Sequence, residues 1–208
     1  PMALLGNGLL AVWNDIPRDV ETRFNSWYRD EHMAERVALP GFRRGRRYRA
    51  LNGAPAYGAL YECDTPEAMA SEAYCAQLDD PTPLTSEMLA QFSNMHRTVC
   101  RVEASRGRGM GGVLAVLRPG DEAAATRFAG GISGLLECSG IVAAHLCVGV
   151  PALTHNDSVE TRVRVGADKL DVWLALIEGN DATSLRAALG SAAAALYELI
   201  HVIHIDDL

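Results

Sequence analysis

The feature that most constrains this chain is an internal repeat. Gly112-Val113-Leu114-Ala115-Val116-Leu117 restates Gly8-Leu9-Leu10-Ala11-Val12-Trp13 almost residue for residue. Val172-Trp173-Leu174-Ala175-Leu176-Ile177-Glu178 likewise echoes Ala56-Tyr57-Gly58-Ala59-Leu60-Tyr61-Glu62, and Ser139-Gly140-Ile141 stands where the first half has Pro40-Gly41-Phe42. Self-similarity over this length means two copies of one supersecondary unit, so the 208 residues are one unit used twice. The division places a first repeat at 1–106, a linker at 107–111 and a second repeat at 112–208.

Each copy opens on a short apolar run that reads as a buried strand, followed by a helix. In the first copy Asn14-Asp15 ends the strand, Pro17 suits a first helical turn, and the helix runs to about Leu39. Phe24, Trp27, Ala34 and Ala38 mark its buried stripe, and Glu31 falls on that stripe. After the Pro40-Gly41 break, residues 42–50 read as a strand with arginines on both faces: Arg43, Arg47 and Arg49 on one, Arg44, Arg46 and Tyr48 on the other. Charge on both faces argues against a central strand and for an edge; alternatively one or two guanidiniums reach a pocket mouth and hold an oxyanion. Residues 57–63 form the next strand, with Tyr57, Ala59 and Tyr61 on one face, either lining a barrel interior or serving as core aromatics. A helix from Asp64-Thr65-Pro66-Glu67 to Leu78, a short helix at Thr85-Ser86-Glu87-Met88 and a strand at 97–104 complete the copy.

The second copy is read as a strand at 112–117, a helix from Asp121 to about Cys138, a polar insertion at 151–168 that is a loop or a hairpin, a strand at 172–178, an alanine-rich helix at 181–199 and a last strand at 201–205. Sliding by the offset between Gly41 and Gly140 places Gly130 and Gly131 where the first copy has Glu31 and His32. One functional site per chain is therefore expected, in the first repeat.

Composition narrows the classes. A net charge of −7 and a pI near 5.3 argue against a nucleic-acid-binding face. Five cysteines with no C-x-x-C pair support neither a disulfide framework nor a zinc ribbon, and fit a reducing cytoplasm. The N-terminal apolar run lacks a basic flank and is too short to span a bilayer, so no membrane partner is expected. The glycine-rich segment 106–112 precedes a strand, the reverse of a dinucleotide-binding order. Glu31, His32 and Glu35 do not make H-E-x-x-H, His201 and His204 fall on opposite strand faces, and His96, His145 and His155 are isolated, so no metal site is expected. No G-x-S-x-G occurs.

The run Trp27-Tyr28 through Glu31-His32 to Pro40-Gly41-Phe42, with Arg47-Tyr48 after it, resembles the signature of EthD-like proteins in the dimeric α+β-barrel superfamily, closely over residues 8–105 and faintly beyond. The resemblance implies an α+β fold: two tandem ferredoxin-like βαββαβ repeats whose antiparallel sheets pack as a pseudo-dimeric α+β barrel with a small-molecule pocket inside. The activities of that superfamily are too diverse for the resemblance to supply a reaction; the residues themselves are read as those of a cofactor-independent enzyme of the isomerase, dehydratase or monooxygenase type acting on an aromatic, lactone or polyketide-like metabolite. His32 is the expected proton carrier, because imidazole titrates near neutrality, with Glu31 or a nearby tyrosine setting its tautomer and Arg47, alone or with Tyr61, holding an oxyanion. Trp13, Trp27, Tyr28, Tyr48, Tyr57 and Tyr61 are the expected substrate walls. The alternatives are a non-catalytic stress-responsive or ligand-binding barrel, and haem binding inside the barrel. A homo-oligomer, most simply a dimer, is expected. If His32 and Glu31 line an enclosed cavity, catalysis gains; if both meet solvent, binding or structure does.

Overall fold

A computed structural model describes residues 3–164, 166–192 and 194–208. Among these, eight strands close one barrel in the order β1-β3-β2-β8-β5-β7-β6-β4. The first half supplies β1 (Gly8–Asp15), α1 (Glu21–Trp27), a π-helical turn (Tyr28–His32), α2 (Met33–Val37), β2 (Phe42–Asn52), β3 (Tyr57–Cys63), α3 (Glu72–Asp79), α4 (Pro83–Leu89) and β4 (Ser93–Gly107). The second supplies β5 (Val113–Leu117), α5 (Glu122–Glu137), β6 (Ile141–Gly149), α6 (Pro151–Thr154), α7 (Val159–Val163), β7 (Trp173–Gly179), α8 (Ala182–Leu189) and β8 (Ala195–His204). Each half has the strand order of a ferredoxin-like unit, and the halves join where β2 pairs β8 and β4 pairs β6. The sheet thus closes within one chain, and no second copy is needed to complete it.

Strand alternation divides the side chains into an inner and an outer set. Leu9, Ala11, Trp13, Tyr48, Leu60, Cys100, Leu114, Leu174, Leu176 and Tyr197 fill the interior, with Trp13 and Tyr197 in ring contact at 4.9 Å. At one end of the interior lies a buried ionic cluster. Arg46 pairs with Glu62 at 2.7 Å and Glu178 at 2.8 Å, Arg44 reaches Glu62 at 2.8 Å, and His145 bridges Glu178 and Ser105. The interior is a packed core, so the expected pocket inside the barrel is replaced by a second layer: the helices of the first half lie on the outer face of β1, β3 and β2 over a separate apolar core.

Three expectations change. Strand β2 is paired on both sides, because Glu62 and Glu178 neutralise its inward arginines and aromatic rings cover Arg47 on the outside. The alanine-rich helix ends at Gly190, whose φ of 58° lies in the left-handed region. Residues 195–199 then continue as β8, where pairing with β2 and β5 outweighs the helix preference of alanine. The insertion folds as α6 and α7, neither a bare loop nor a hairpin, and lies over the first half, α6 against β4 and α7 against α3 and α4. Asp121 caps α5 through the Ala124 amide, as its place in the sequence suggests.

Candidate functional site

The first helix does not keep one α-helical stripe. Phe24 and Trp27 are buried as the spacing predicts, but the next inward positions are Tyr28, His32, Met33, Arg36 and Val37, while Ala34 is half-buried and Ala38 exposed. The π-helical turn inserts one residue, which rotates the following face by about 100°. His32 therefore takes the inward place that uniform α-helical spacing gives to Glu31.

His32 is 7% exposed, stacked on Trp27 at 4.3 Å between centroids and edge-on to Tyr28 at 5.2 Å. Glu31 turns toward α4. Its carboxylate accepts from the Thr82 hydroxyl and from Thr85 Oγ1 at 3.1 Å, while Trp27 Nε1 donates to Thr85 Oγ1 at 3.0 Å and the Thr85 amide to Thr82 Oγ1 at 3.0 Å. Glu31 thus fixes the start of α4 and the indole on which His32 rests, and does not touch the imidazole. Of the two side chains meant to discriminate catalysis from structure, His32 is buried against a small, partly open pocket, and Glu31 is half-buried outside it.

That space is a cavity of about 30 Å³ between the outer sheet face and the helices. Leu10, Val12 and Tyr61 rise from the sheet; Tyr28, His32 and Arg36 come from the first helix; Tyr74 comes from α3. Glu160 and Arg164, from the insertion of the second half, close it. Arg36 and Glu160 form an ion pair in which the two side chains are 3% and 5% exposed. Thr154 anchors the same insertion to β4: its hydroxyl accepts from the Val99 amide at 3.0 Å and its carbonyl from Arg97 Nη1 at 2.7 Å. The second half thus contributes a lid to a site walled by the first.

Burial, with Arg36 and Arg47 nearby, pushes His32 well below the ordinary histidine value, so its imidazole is neutral at pH 7. Burial likewise raises Tyr28, and pushes Tyr61 well above the ordinary phenol value. Three buried polar atoms of cavity residues have no hydrogen-bond partner among the described residues, His32 Nδ1, Arg36 Nη1 and Arg164 Nε, while the Tyr61 hydroxyl leans on that of Tyr28. Buried polar groups are seldom left so, and their convergence on one cavity marks a place prepared for a polar guest.

The other sequence candidates disperse. Arg47 lies over the Tyr28 ring at 4.1 Å, with Phe24 at 4.7 Å and Tyr57 at 5.0 Å, and donates to Asn25 Oδ1 at 2.8 Å. It lines a separate outer cleft of about 300 Å³ with Asn25, Tyr57 and His201, and reaches the cavity through Tyr28. Tyr57 donates to Glu21 in that cleft. Trp13 and Tyr48 point into the barrel, on the opposite face of the sheet from His32. Trp27, Tyr28 and Tyr61 remain with His32. Arg36 was legible as the residue one turn after His32; Tyr74, Arg97, Glu160 and Arg164 come from distant segments and carry no such signal. Among the described residues no His, Cys, Asp and Glu cluster has the makings of a metal site. A porphyrin finds room neither in the filled barrel nor in the 30 Å³ cavity, and the barrel's inward histidine, His145, is held by Ser105 and Glu178. No helix among the described residues is long and apolar enough to cross a membrane.

No family model matches the chain, and no curated protein matches it. Solved structures do. An anthrone oxidase-like protein superposes with a TM-score of 0.66 at 10% identity, over 100% of this chain and 98% of its own. A protein provisionally named a monooxygenase, from Lactobacillus acidophilus, gives 0.55 at 7% identity over 96% and 97%. Another so named, from Fusobacterium nucleatum, gives 0.54 at 10% identity over 97% and 96%. At such identities the likeness speaks for the fold alone, and together with the closed sheet it shows an α+β fold in which two ferredoxin-like halves of one polypeptide close an eight-stranded antiparallel barrel.

Proposed function

We propose that the cavity under the lid is the active site of a cofactor-independent enzyme that takes a proton from a small, partly apolar, oxygenated molecule. The observation that carries this reading is the set of unpartnered polar atoms around a neutral, buried imidazole. A neutral imidazole accepts a proton from an acidic C–H or phenolic O–H, and the enolate or phenolate so formed needs donors that are already in place. Arg36 Nη1 is such a donor, without a partner among the described residues, and the Tyr61 hydroxyl, which leans on that of Tyr28, stands beside it. Trp27 and Tyr28 hold the imidazole plane and give the apolar wall. Arg47 is a positioning residue acting through the Tyr28 ring, and Glu31 one acting through Thr85 and Trp27.

The names of the structural neighbours, anthrone oxidase-like and monooxygenase, support oxygenation with O2 as co-substrate over isomerisation or dehydration. A cavity of about 30 Å³ holds little more than one water, so substrate enters only when α6 and α7 lift. The test is turnover of a panel of hydroxylated aromatic and lactone compounds under air. Wild type converts at least one member, and His32→Ala and the closer mimic His32→Gln lose a hundredfold or more in kcat. Equal turnover by wild type and both variants overturns the assignment, and binding without turnover by wild type replaces it with a ligand-carrying role.

A further inference from the structure

Outside the His32 cavity, and sharing Arg97 and Arg164 with it, lies a second hollow of about 200 Å³. The insertion forms most of it, through Thr154, His155, Thr161 and Asp168. Its charges do not balance. The two neighbouring spaces are lined by three guanidiniums, Arg36, Arg97 and Arg164, and by two carboxylates, Glu160 and Asp168. Glu160 is taken by Arg36, and Asp168 accepts from Arg164 Nη2 at 2.6 Å. Arg97, only 4% exposed, is left with neutral partners: the Thr154 carbonyl and, at 3.0 Å, the Tyr74 hydroxyl. Arg164, whose side chain is 6% exposed, keeps Nε without a partner among the described residues. A buried cation without a counter-charge is costly, and a guanidinium that retains a free N–H beside a hollow is shaped to receive a carboxylate oxygen.

We infer that the ligand is a monoanion, an organic carboxylic acid, whose carboxylate is held between Arg97 and Arg164 while its apolar body extends under the lid toward His32. One negative charge cancels the one uncompensated guanidinium, whereas a dianion leaves an excess and a neutral molecule leaves the cation bare. The inference rests on the reading of the cavity as a small-molecule site, but it assigns recognition to residues that take no part in proton transfer. The insertion of the second half then carries one arm of the anion fork as well as the lid.

The experiment pairs four acids with their primary amides, benzoate, salicylate, 1-naphthoate and anthraquinone-2-carboxylate, in thermal-shift and calorimetric titrations. The protein forms are wild type, His32→Ala and Arg164→Gln; Arg97→Lys, which keeps the charge and one donor to Thr154, serves as a fourth. At least one acid binds tenfold or more tightly than its amide in wild type and in His32→Ala, and that preference disappears in Arg164→Gln and weakens in Arg97→Lys. Absence of any acid preference in wild type, or a preference that survives Arg164→Gln, overturns the inference. Because His32→Ala is read by binding alone, loss of turnover without an acid preference retires this inference and keeps the proton-transfer reading, and the converse result retires the other.

Discussion

Glu160→Gln breaks the clasp that holds the second half's lid on the first half's helix. Both partners are almost fully buried, so the pair is not discounted for solvent screening. Two unit charges about 4 Å apart attract by about 4 kcal/mol at an effective dielectric of about 20. Removing one partner of a buried pair costs about 3–5 kcal/mol, because the remaining charge cannot be solvated. Burial works against the charge on Arg36, yet Glu160 together with Tyr74 and Tyr61 more than offsets it, so the variant leaves a buried cation without its counter-charge. Glutamine keeps the shape and one acceptor, which places the loss near 3 kcal/mol, about a hundredfold in the open population. Helix α7 packs on α3 and α4 and contributes nothing to the barrel, so the loss falls on the lid. Native-state hydrogen exchange reads it directly. The Arg162 amide, bonded to the Ser158 carbonyl at 3.1 Å, should exchange about a hundredfold faster, up to the limit of full exposure, with β1 and β3 amides unchanged. Arg36→Met combined with Glu160→Met removes both charges and should restore protection to within about 1 kcal/mol of the parent. Unchanged exchange in Glu160→Gln, or a double variant as open as the single one, refutes the clasp.

Two further outcomes concern the barrel interior. Burial alone would raise the Glu178 carboxyl, but Arg46 and His145 hold it down at about 2 against an ordinary 4.5. A depressed carboxylate stabilises the fold above its unfolded value and loses that contribution as pH falls toward the folded one, so about 3 kcal/mol disappears between pH 4.5 and 2. In urea titrations the stability gap between wild type and Glu178→Gln should therefore narrow by about that amount from pH 6 to pH 2; a constant gap contradicts the ionic cluster. Gly58 lies under the Trp13 ring, where an added Cβ meets ring carbons at 2.2 and 2.3 Å. Gly58→Ala should cost about 1–3 kcal/mol by overpacking, read as a lower Tm, and an unaltered Tm would show that the interior has slack.

Much of the fold was legible because its signals are local. The two apolar strand runs, the Asp121 cap and the Pro-Gly and Ser-Gly breaks lie where the repeat puts them. What escaped depends on distant partners. The arginines of β2 look like those of an edge strand until Glu62 and Glu178 are brought opposite them, and residues 195–199 look helical until β2 and β5 flank them. The π-helical turn leaves no periodic trace, since one inserted residue merely ends one stripe and starts another; for that reason uniform spacing points to Glu31 rather than His32 as the inward side chain. His32, Tyr28 and Tyr61 stand out by residue type and meet at one cavity, with Trp27 stacked behind His32. Glu160 and Arg164 were beyond reach, because pattern in the second half says nothing about which surface of the first it covers, and Arg97 gains its meaning only once that insertion lies over β4.

The protonation state of one imidazole tests the proposed proton transfer most directly. Two-dimensional 1H–15N spectra of histidine-labelled protein, with His32→Gln to assign the resonance, follow His32 from pH 8 to pH 4. A ring enclosed between Trp27 and two guanidiniums stays neutral well below 6.5, and the fold loses stability below 6.5 because only the unfolded chain gains that proton. A His32 resonance that titrates at or above 6.5 would mean that the ring meets water or a carboxylate, and would contradict the buried, unpaired imidazole on which the proposed site rests.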